Sequence, residues 1–337
     1  MPVLNQVTKR PVRSPAWAPK LLLIIGSLAV PILLGEMALR ISGLYTPNSY
    51  PPQCLRPGLF EAYEPYGYRL IPSRRTTYLY PHNNPRTLSL VSNHDGFRAG
   101  RELDQPDARP RVLFVGDSFV FGDGVEESER FTNILETMNP SLRIDNLGMV
   151  GYGPDLMIRA LEVVGLKLKP ALVVFCMYTD DLRRVRPDYA GTGFLIPRYK
   201  LESGQLVSTP YPAPSFWDRL HIAVAARRVL WDYTSRQWNL NQAILDRFEQ
   251  LADQQHFQKA IIFLPGRDDT RADRERRSWV GKYAGSHGTP FLDLSDPVHK
   301  MGARAFIQDN PHLNPAGHQV VARELDRFLS EGTLASK

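Results

Sequence analysis

The residues of this chain that could do chemistry are a serine directly after an apolar strand, a histidine three residues after an aspartate, and a glycine-dense turn. In VLFVGDSFVFGDGV the apolar run ends at Val115, and Gly116-Asp117-Ser118 follows at once. A serine at such a strand-to-helix turn presents its hydroxyl outward, while its own backbone N–H points into the same space. Alone the triplet says little, because Gly, Asp and Ser are ordinary turn residues. Its possible partners are Asp309 and His312, in the loop Asp309-Asn310-Pro311-His312. An Asp and a His three apart on a rigid loop can act together, the carboxylate fixing the tautomer and the imidazole taking the serine proton. The plainer reading has His312 helping to cap the last helix and Asp309 solvated.

Two further pieces sit at strand ends. In the turn from Asn146 to Gly153 (NLGMVGYG), Gly148, Gly151 and Gly153 let backbone N–H groups approach a ligand closely, though a plain tight turn has the same composition. In Tyr178-Thr179-Asp180-Asp181 two adjacent acids point to different sides, which suits one site residue and one structural residue better than a carboxylate pair. Of the other histidines, His82, His221, His256, His287 and His299 read as surface residues. His318 lies within the last helix and has no Cys or acid spacing that would make it a metal ligand with His312. The two cysteines, Cys54 and Cys176, make neither a disulfide framework nor a metal site, and Cys176 reads as a small buried residue of a strand. Neither a metal nor a cofactor is expected.

The elements that must position these residues follow from periodicity. Strands are expected at 112–115, 143–147, 171–178, 260–265 and 290–294, with the clearest helices at 154–168, 238–255 and 315–329. In the second helix Leu240, Ile244, Leu245, Phe248 and Leu251 share one face. Pro154 after Gly153, and Asn314-Pro315 as N-cap and N1, punctuate two helix starts. Five strands alternating with helices make an α/β domain with a parallel sheet covered on both faces, whose ligands bind beyond the strands' carboxyl ends. Residues 182–237 interrupt this rhythm with a hairpin (RYKLESGQLVS) and a helix around 215–234 that carries Phe216, Trp217, Leu220, Val224 and Trp231. This insertion reads as packed on the sheet and partly lidding it, ahead of membrane contact, because Arg219, Arg227 and Arg228 do not separate from the apolar set.

The chain has 337 residues with 41 basic against 35 acidic, a net charge of +6. Residues 1–43 hold five of the bases (Lys9, Arg10, Arg13, Lys20, Arg40) and one acid, Glu36, leaving 36 bases and 34 acids in the rest. So concentrated an excess argues against a nucleic-acid-binding face. It flanks the uncharged run LLLIIGSLAVPILLG, residues 21–35, which extends through Ile41. Those twenty-one residues span roughly 30 Å as a helix, enough for the hydrocarbon core of a bilayer. No small-x-small cleavage site follows Leu34, so an uncleaved anchor is preferred to a signal peptide. Four positive charges before it place the N-terminus in the cytoplasm and the remainder outside. Three regions are therefore expected: the basic terminus and anchor (1–43), a β-rich accessory region (44–109) with strands TTYLY and TLSLV and a turn at 93–96, and an α/β domain (110–337).

In their order, the four pieces resemble the SGNH hydrolases, the GDSL-type esterases and lipases. The resemblance covers 111–329, broken by 182–237. The family's nucleophile block falls on Gly116-Asp117-Ser118, its oxyanion glycine on Gly151, and its Asp-x-x-His block on Asp309 and His312. It implies a Ser-His-Asp esterase on a three-layer α/β/α, flavodoxin-like fold with strand order 2-1-3-4-5. An anchor followed by SNHDGFR is similar to membrane-anchored members. The third block departs: the family shows Gly-x-Asn-Asp, with the Asn donating to the oxyanion, where this chain has Tyr178, Thr179, Asp180 and Asp181. An ionised Asp180 would repel the oxyanion, and losing one such donor costs on the order of 3 kcal/mol. A protonated Asp180, the N–H groups of Ser118 and Gly151 alone, or Thr179 in its place would each answer the problem. The expected function is a membrane-anchored, extracytoplasmic serine esterase acting on O-acyl groups of envelope glycans or lipids. Transfer of the acyl group to a polysaccharide hydroxyl, or a non-catalytic glycan-binding scaffold suggested by Asp180, are the alternatives.

Overall fold

The computed structural model describes residues 17–48, 56–80, 85–189 and 193–333; Cys54 and His82 lie outside them. Helix α1 (Ala18–Ser42) is followed by four short strands, β1 (Phe60–Tyr63), β2 (Gly67–Leu70), β3 (Arg75–Tyr80) and β4 (Arg86–Val91). Next come β5 (Arg111–Gly116), α2 (Ser118–Phe121), α3 (Phe131–Met138), β6 (Arg143–Gly148), α4 (Pro154–Val163), β7 (Leu172–Tyr178) and α5 (Asp181–Arg184). The hairpin β8 (Arg198–Glu202) and β9 (Gln205–Thr209) leads to α6 (His221–Tyr233) and α7 (Ser235–Gln255). The remaining elements are β10 (Gln258–Leu264), α8 (Arg271–Ser286), β11 (Phe291–Asp293), α9 (Ser295–His299) and α10 (Pro315–Phe328). The chain divides into two compact units: residues up to Pro47 with Pro214–Leu230, and Asn48–Ala213 with Trp231–Lys337.

The larger unit is built on a five-stranded sheet in the order β11-β10-β7-β5-β6, parallel throughout. Numbered along the chain this is 2-1-3-4-5, as the resemblance implies. Alternation along each strand splits the core. Leu113 and Val115 of β5, with Phe175 of β7, face α4 and α7. Val112 and Phe114, with Val174, face α3 and α10. The sheet and its two helical faces make the three layers expected. Helix α8 was not among the clear sequence helices, because RADRERRSWVGKYAGS has too few apolar residues to show a period; Thr270 and Asp273 cap its start reciprocally.

The smaller unit contains α1, of which Leu23–Ser42 has a mean hydropathy of 1.8 and is long and apolar enough to cross a membrane. Pro31 lies inside it, and Gly43 ends it in the left-handed conformation. The interrupting segment expected at 182–237 is thus shared out. The β8–β9 hairpin, turning through Ser203 and Gly204 at positive φ, belongs to the larger unit, and Pro214–Leu230 to the smaller.

The accessory strands form two antiparallel hairpins, β1–β2 and β3–β4; the second matches TTYLY and TLSLV. Their Tyr68, Leu70, Tyr78, Leu88 and Leu90 are buried in the same core as β5 and α4. The stretch SNHDGFR supplies the tie. Asn93 closes the turn by accepting from Phe97 N, and Arg98 passes fully buried into the larger domain. There its guanidinium donates to the carbonyls of Ser89, Gly122 and Val125 at 2.6–3.2 Å. Gly122 and Val125 belong to the chain just after α2, so Arg98 fixes the segment behind Gly116-Asp117-Ser118. Arg98→Met removes these donors and leaves buried carbonyls unpaired. It is expected to lower stability by on the order of 3 kcal/mol, read from urea unfolding of the purified chain.

Candidate functional site

Ser118 stands at the carboxyl end of the second-from-edge strand of the parallel sheet, where β5 turns directly into α2. The turn is tight on both sides. A Cβ on Gly116 would lie 2.2 Å from Val120 Cγ2, and one on Gly148, the paired residue of β6, 2.4 Å from Phe121 N. Glycine at both positions lets α2 sit down on the strand ends. Asp117 caps α2, its Oδ1 accepting Phe119 N at 2.9 Å. As the first helical residue, Ser118 keeps its own N–H outside the intrahelical ladder. Asn146 holds α2 from below by donating to Val120 O at 2.7 Å.

His312 arrives from the far end of the sequence. Its loop is fixed by an isolated bridge between Phe306 and Leu313, by Ile307 N donating to His312 O, and by Asn314 capping α10. Nε2 of His312 lies 2.8 Å from Ser118 Oγ. The structure thus brings together the serine and histidine that the sequence singled out.

Asp309 takes a different place from the one its spacing implied. Its φ is +56°, which turns its half-exposed carboxylate toward Arg267, 3.9 Å away. Asn310 occupies the position against the ring: its Oδ1 lies 2.6 Å from His312 Nδ1 and also accepts the His312 backbone N–H at 2.9 Å. A backbone amide can only donate, so the side-chain oxygen of Asn310 faces it and the neighbouring Nδ1 must carry its hydrogen. Nε2 is then the unprotonated nitrogen, aimed at Ser118. The hydroxyl of Tyr80, from β3, lies 3.2 Å from the same Nδ1.

Two buried carboxylates surround this pair. Asp117 Oδ2 lies 3.2 Å from Ser118 Oγ and accepts from Arg184 at 2.9 Å; Arg184 also bonds Asp181 at 2.5 Å. Asp181 in turn accepts Tyr178 N at 2.7 Å, so it is the structural member of the acid pair. Burial and the nearby Asp117 push the Asp181 pKa up, against the pull of Arg184. On the other side Asp123 is gripped by two 2.7 Å bonds from Arg56. Burial would raise the Asp123 pKa, but these bonds hold it below the ordinary carboxylate value. Burial lowers the His312 pKa below that of an ordinary histidine, although Asp123 and Asp117 pull the other way.

Gly151 takes φ +78°, a conformation glycine adopts without strain, and Tyr189 donates to its carbonyl at 3.0 Å. At the end of β7, Thr179 donates its hydroxyl to Asp273 at 2.6 Å and so is committed elsewhere. Asp180 is half exposed, 3.6 Å from Arg183 and 3.9 Å from Arg276, rather than enclosed in an apolar site. Thr179, Asp180, Arg183, Asp273 and Arg276 line a cavity of about 790 Å³, together with Arg267, Asp268, Asp309 and Asn310. Its walls mix charged and polar residues with Tyr178, Ala272 and Pro311. Among the described residues no three His, Cys, Asp or Glu converge as metal ligands. Sequence reasoning missed Asn310, Tyr80, Asp123 and Arg184. The Asn310-Pro311 pair was a usable turn signal; the others are brought in by tertiary structure.

No family model and no curated protein matches the chain. Solved structures do. A member of the lipolytic protein G-D-S-L family from Veillonella parvula is 14% identical, with a TM-score of 0.44, over 67% of this chain and all of its own. The structure of TesA is 16% identical with a TM-score of 0.44, over 65% of this chain and 98% of its own. An acetyl xylan esterase is 14% identical with a TM-score of 0.43, over 64% of this chain and 97% of its own. The solved structures that this chain is similar to thus include G-D-S-L lipolytic hydrolases and esterases.

Proposed function

We propose that this protein is a serine esterase, anchored by α1 and working outside the membrane, that removes acyl groups from polyhydroxylated alcohols of the envelope, glycans before lipids. The observation that carries it is the 2.8 Å contact between Ser118 Oγ and His312 Nε2 at the carboxyl end of the sheet. His312 takes the hydroxyl proton as Ser118 attacks the ester carbonyl, and the N–H groups of Ser118 and Gly151 hold the developing oxyanion. The tetrahedral intermediate collapses, His312 protonates the leaving alcohol, and water resolves the acyl-enzyme with His312 again as base. The polar cavity beside the dyad supports a sugar as the alcohol. Asp180, Arg183 and Arg276 offer both acceptors and donors to hydroxyl groups.

Asn310 is the group that orients His312, with Tyr80 beside it, and Asp309 belongs to the wall of the cavity. Asn310→Ala is expected to lower kcat by about 10²-fold, the scale of a lost orienting contact, while Asp309→Ala acts mainly on KM for the natural ester. Steady-state kinetics on both variants decide the matter; loss of kcat in Asp309→Ala with Asn310→Ala unaffected would return the role to Asp309.

His312 must be neutral to accept the serine proton. Because its pKa is depressed, the neutral form persists to lower pH. The acidic limb of kcat/KM is therefore expected to fall below about 6.5, the ordinary histidine value. A pH–rate profile on a soluble ester reads it directly.

The activity itself is tested with the full chain in detergent, using p-nitrophenyl acetate and a fluorophosphonate probe. Labelling and turnover are expected in the wild type and loss of both in Ser118→Ala. Equal turnover by the variant would refute the assignment. Acetylated oligosaccharides should give a higher kcat/KM than long-chain acyl esters.

A further inference from the structure

Glu36 interrupts the apolar run of α1, and the smaller unit shows what it holds. Its two oxygens accept the first amides of α6: His221 N at 3.1 Å and Ile222 N at 2.8 Å. These are groups that a helix leaves without intrahelical partners, at the end where its dipole favours a negative charge. Arg40 lies 2.7 Å from Glu36 and donates to Arg219 O at 3.3 Å. Gly35 gives the clearance, since a Cβ there would come within 3.3 Å of Ile222 Cδ1.

These contacts also set a direction. The start of α6 meets Glu36, His221 Nδ1 donates to Leu44 O at 3.0 Å, and Arg228 reaches Thr46 O at 3.4 Å. Helix α6 therefore rises along the C-terminal end of α1. The 3-10 turn Phe216–Arg219 directly precedes it, and its last residue, Arg219, offers its carbonyl to Arg40. The apolar run of α1 extends through Ile41, so Glu36, Arg40 and the start of α6 lie at its C-terminal end, near one face of the apolar slab. There Phe216 and Trp217 are 66% and 63% exposed, with their rings 5.6 Å apart. Adjacent aromatic rings left open to water are costly, and the headgroup boundary is where such rings gather in membrane proteins.

We propose that Pro214–Leu230 is an interfacial foot: Glu36 clamps it to α1, and Phe216 and Trp217 insert into the boundary between headgroups and acyl chains of the bilayer that α1 crosses. This rests on the anchoring reading above. The arginines that seemed to spoil an amphipathic pattern find their places in it. Arg227 pairs with Asp218 and Arg228 reaches the Thr46 carbonyl, while the exposed Arg219 meets α1 through its backbone carbonyl. The lipid-facing element is the short turn, with α6 standing above it.

The test uses the full chain reconstituted in vesicles of phosphatidylcholine and phosphatidylglycerol. Flotation and resistance to alkaline extraction report the anchor. The difference in tryptophan emission between wild type and Trp217→Phe isolates Trp217. Replacing the phosphatidylcholine by a form brominated near the carbonyl end of its chains should remove most of that difference signal, and Glu36→Ala should restore it with the chain still floating. A chain that floats while the Trp217 signal is unquenched overturns the foot and leaves the anchor standing. A chain that neither floats nor resists extraction overturns both. Persistence of full quenching in Glu36→Ala overturns the clamp.

Discussion

The 2.8 Å contact between Ser118 and His312 closes a loop of 194 residues, and much of the larger unit serves to keep it closed. Ser118 can be placed because α2 presses onto β5 and β6 through glycines that leave no room for a side chain. His312 can be placed because the short Phe306–Leu313 bridge and the Asn314 cap fix both sides of its loop. Sheet order does the rest: β5 lies inside the sheet, between β6 and β7, so the loops after these strands converge on its end.

The accessory hairpins are part of that constraint. Tyr80 of β3 stands beside His312, Arg98 holds the carbonyls that follow α2, and Arg56 neutralises Asp123 behind the imidazole. Each is a contact from residues 56–98 to the ends of the sheet. A fold that kept only the α/β core would lose the Tyr80 contact with the ring and the buried cation under the nucleophile turn. This explains why the hairpins share one hydrophobic core with β5 and α4.

The sheet was legible because buried parallel strands read as apolar runs bounded by turns, and Ser118 and His312 were legible because motif and strand end coincide. Asn310 and Asp309 were not. Their placement follows a left-handed residue at Asp309: its carboxylate lies 3.9 Å from Arg267, and Asn310 Oδ1 lies 2.6 Å from His312 Nδ1. Spacing alone cannot encode that placement. Pro214–Leu230 groups with α1, which the helical-face pattern of its arginines does not show. Their actual partners, Arg40, Asp218 and Thr46, lie on the segment itself and on residues near the end of α1.

Electrostatics around the imidazole follow from these placements. Each carboxylate near His312 faces an arginine: Asp117 meets Arg184 and Asp123 meets Arg56. Paired charges exert a much weaker field on the ring than bare ones, so burial dominates and the resting imidazole stays neutral. In the proposed reaction, the imidazolium formed when Ser118 gives up its proton would be stabilised by fixed dipoles, the Asn310 side-chain carbonyl and the Tyr80 hydroxyl, both near Nδ1. A dipole recovers less energy than a charge, but Asn310 carries no net charge of its own to desolvate, and its second bond to the His312 amide holds it in place. The cavity beside the ring has Arg183, Arg267 and Arg276 in its lining, and the Asp309 carboxylate lies 3.9 Å from Arg267.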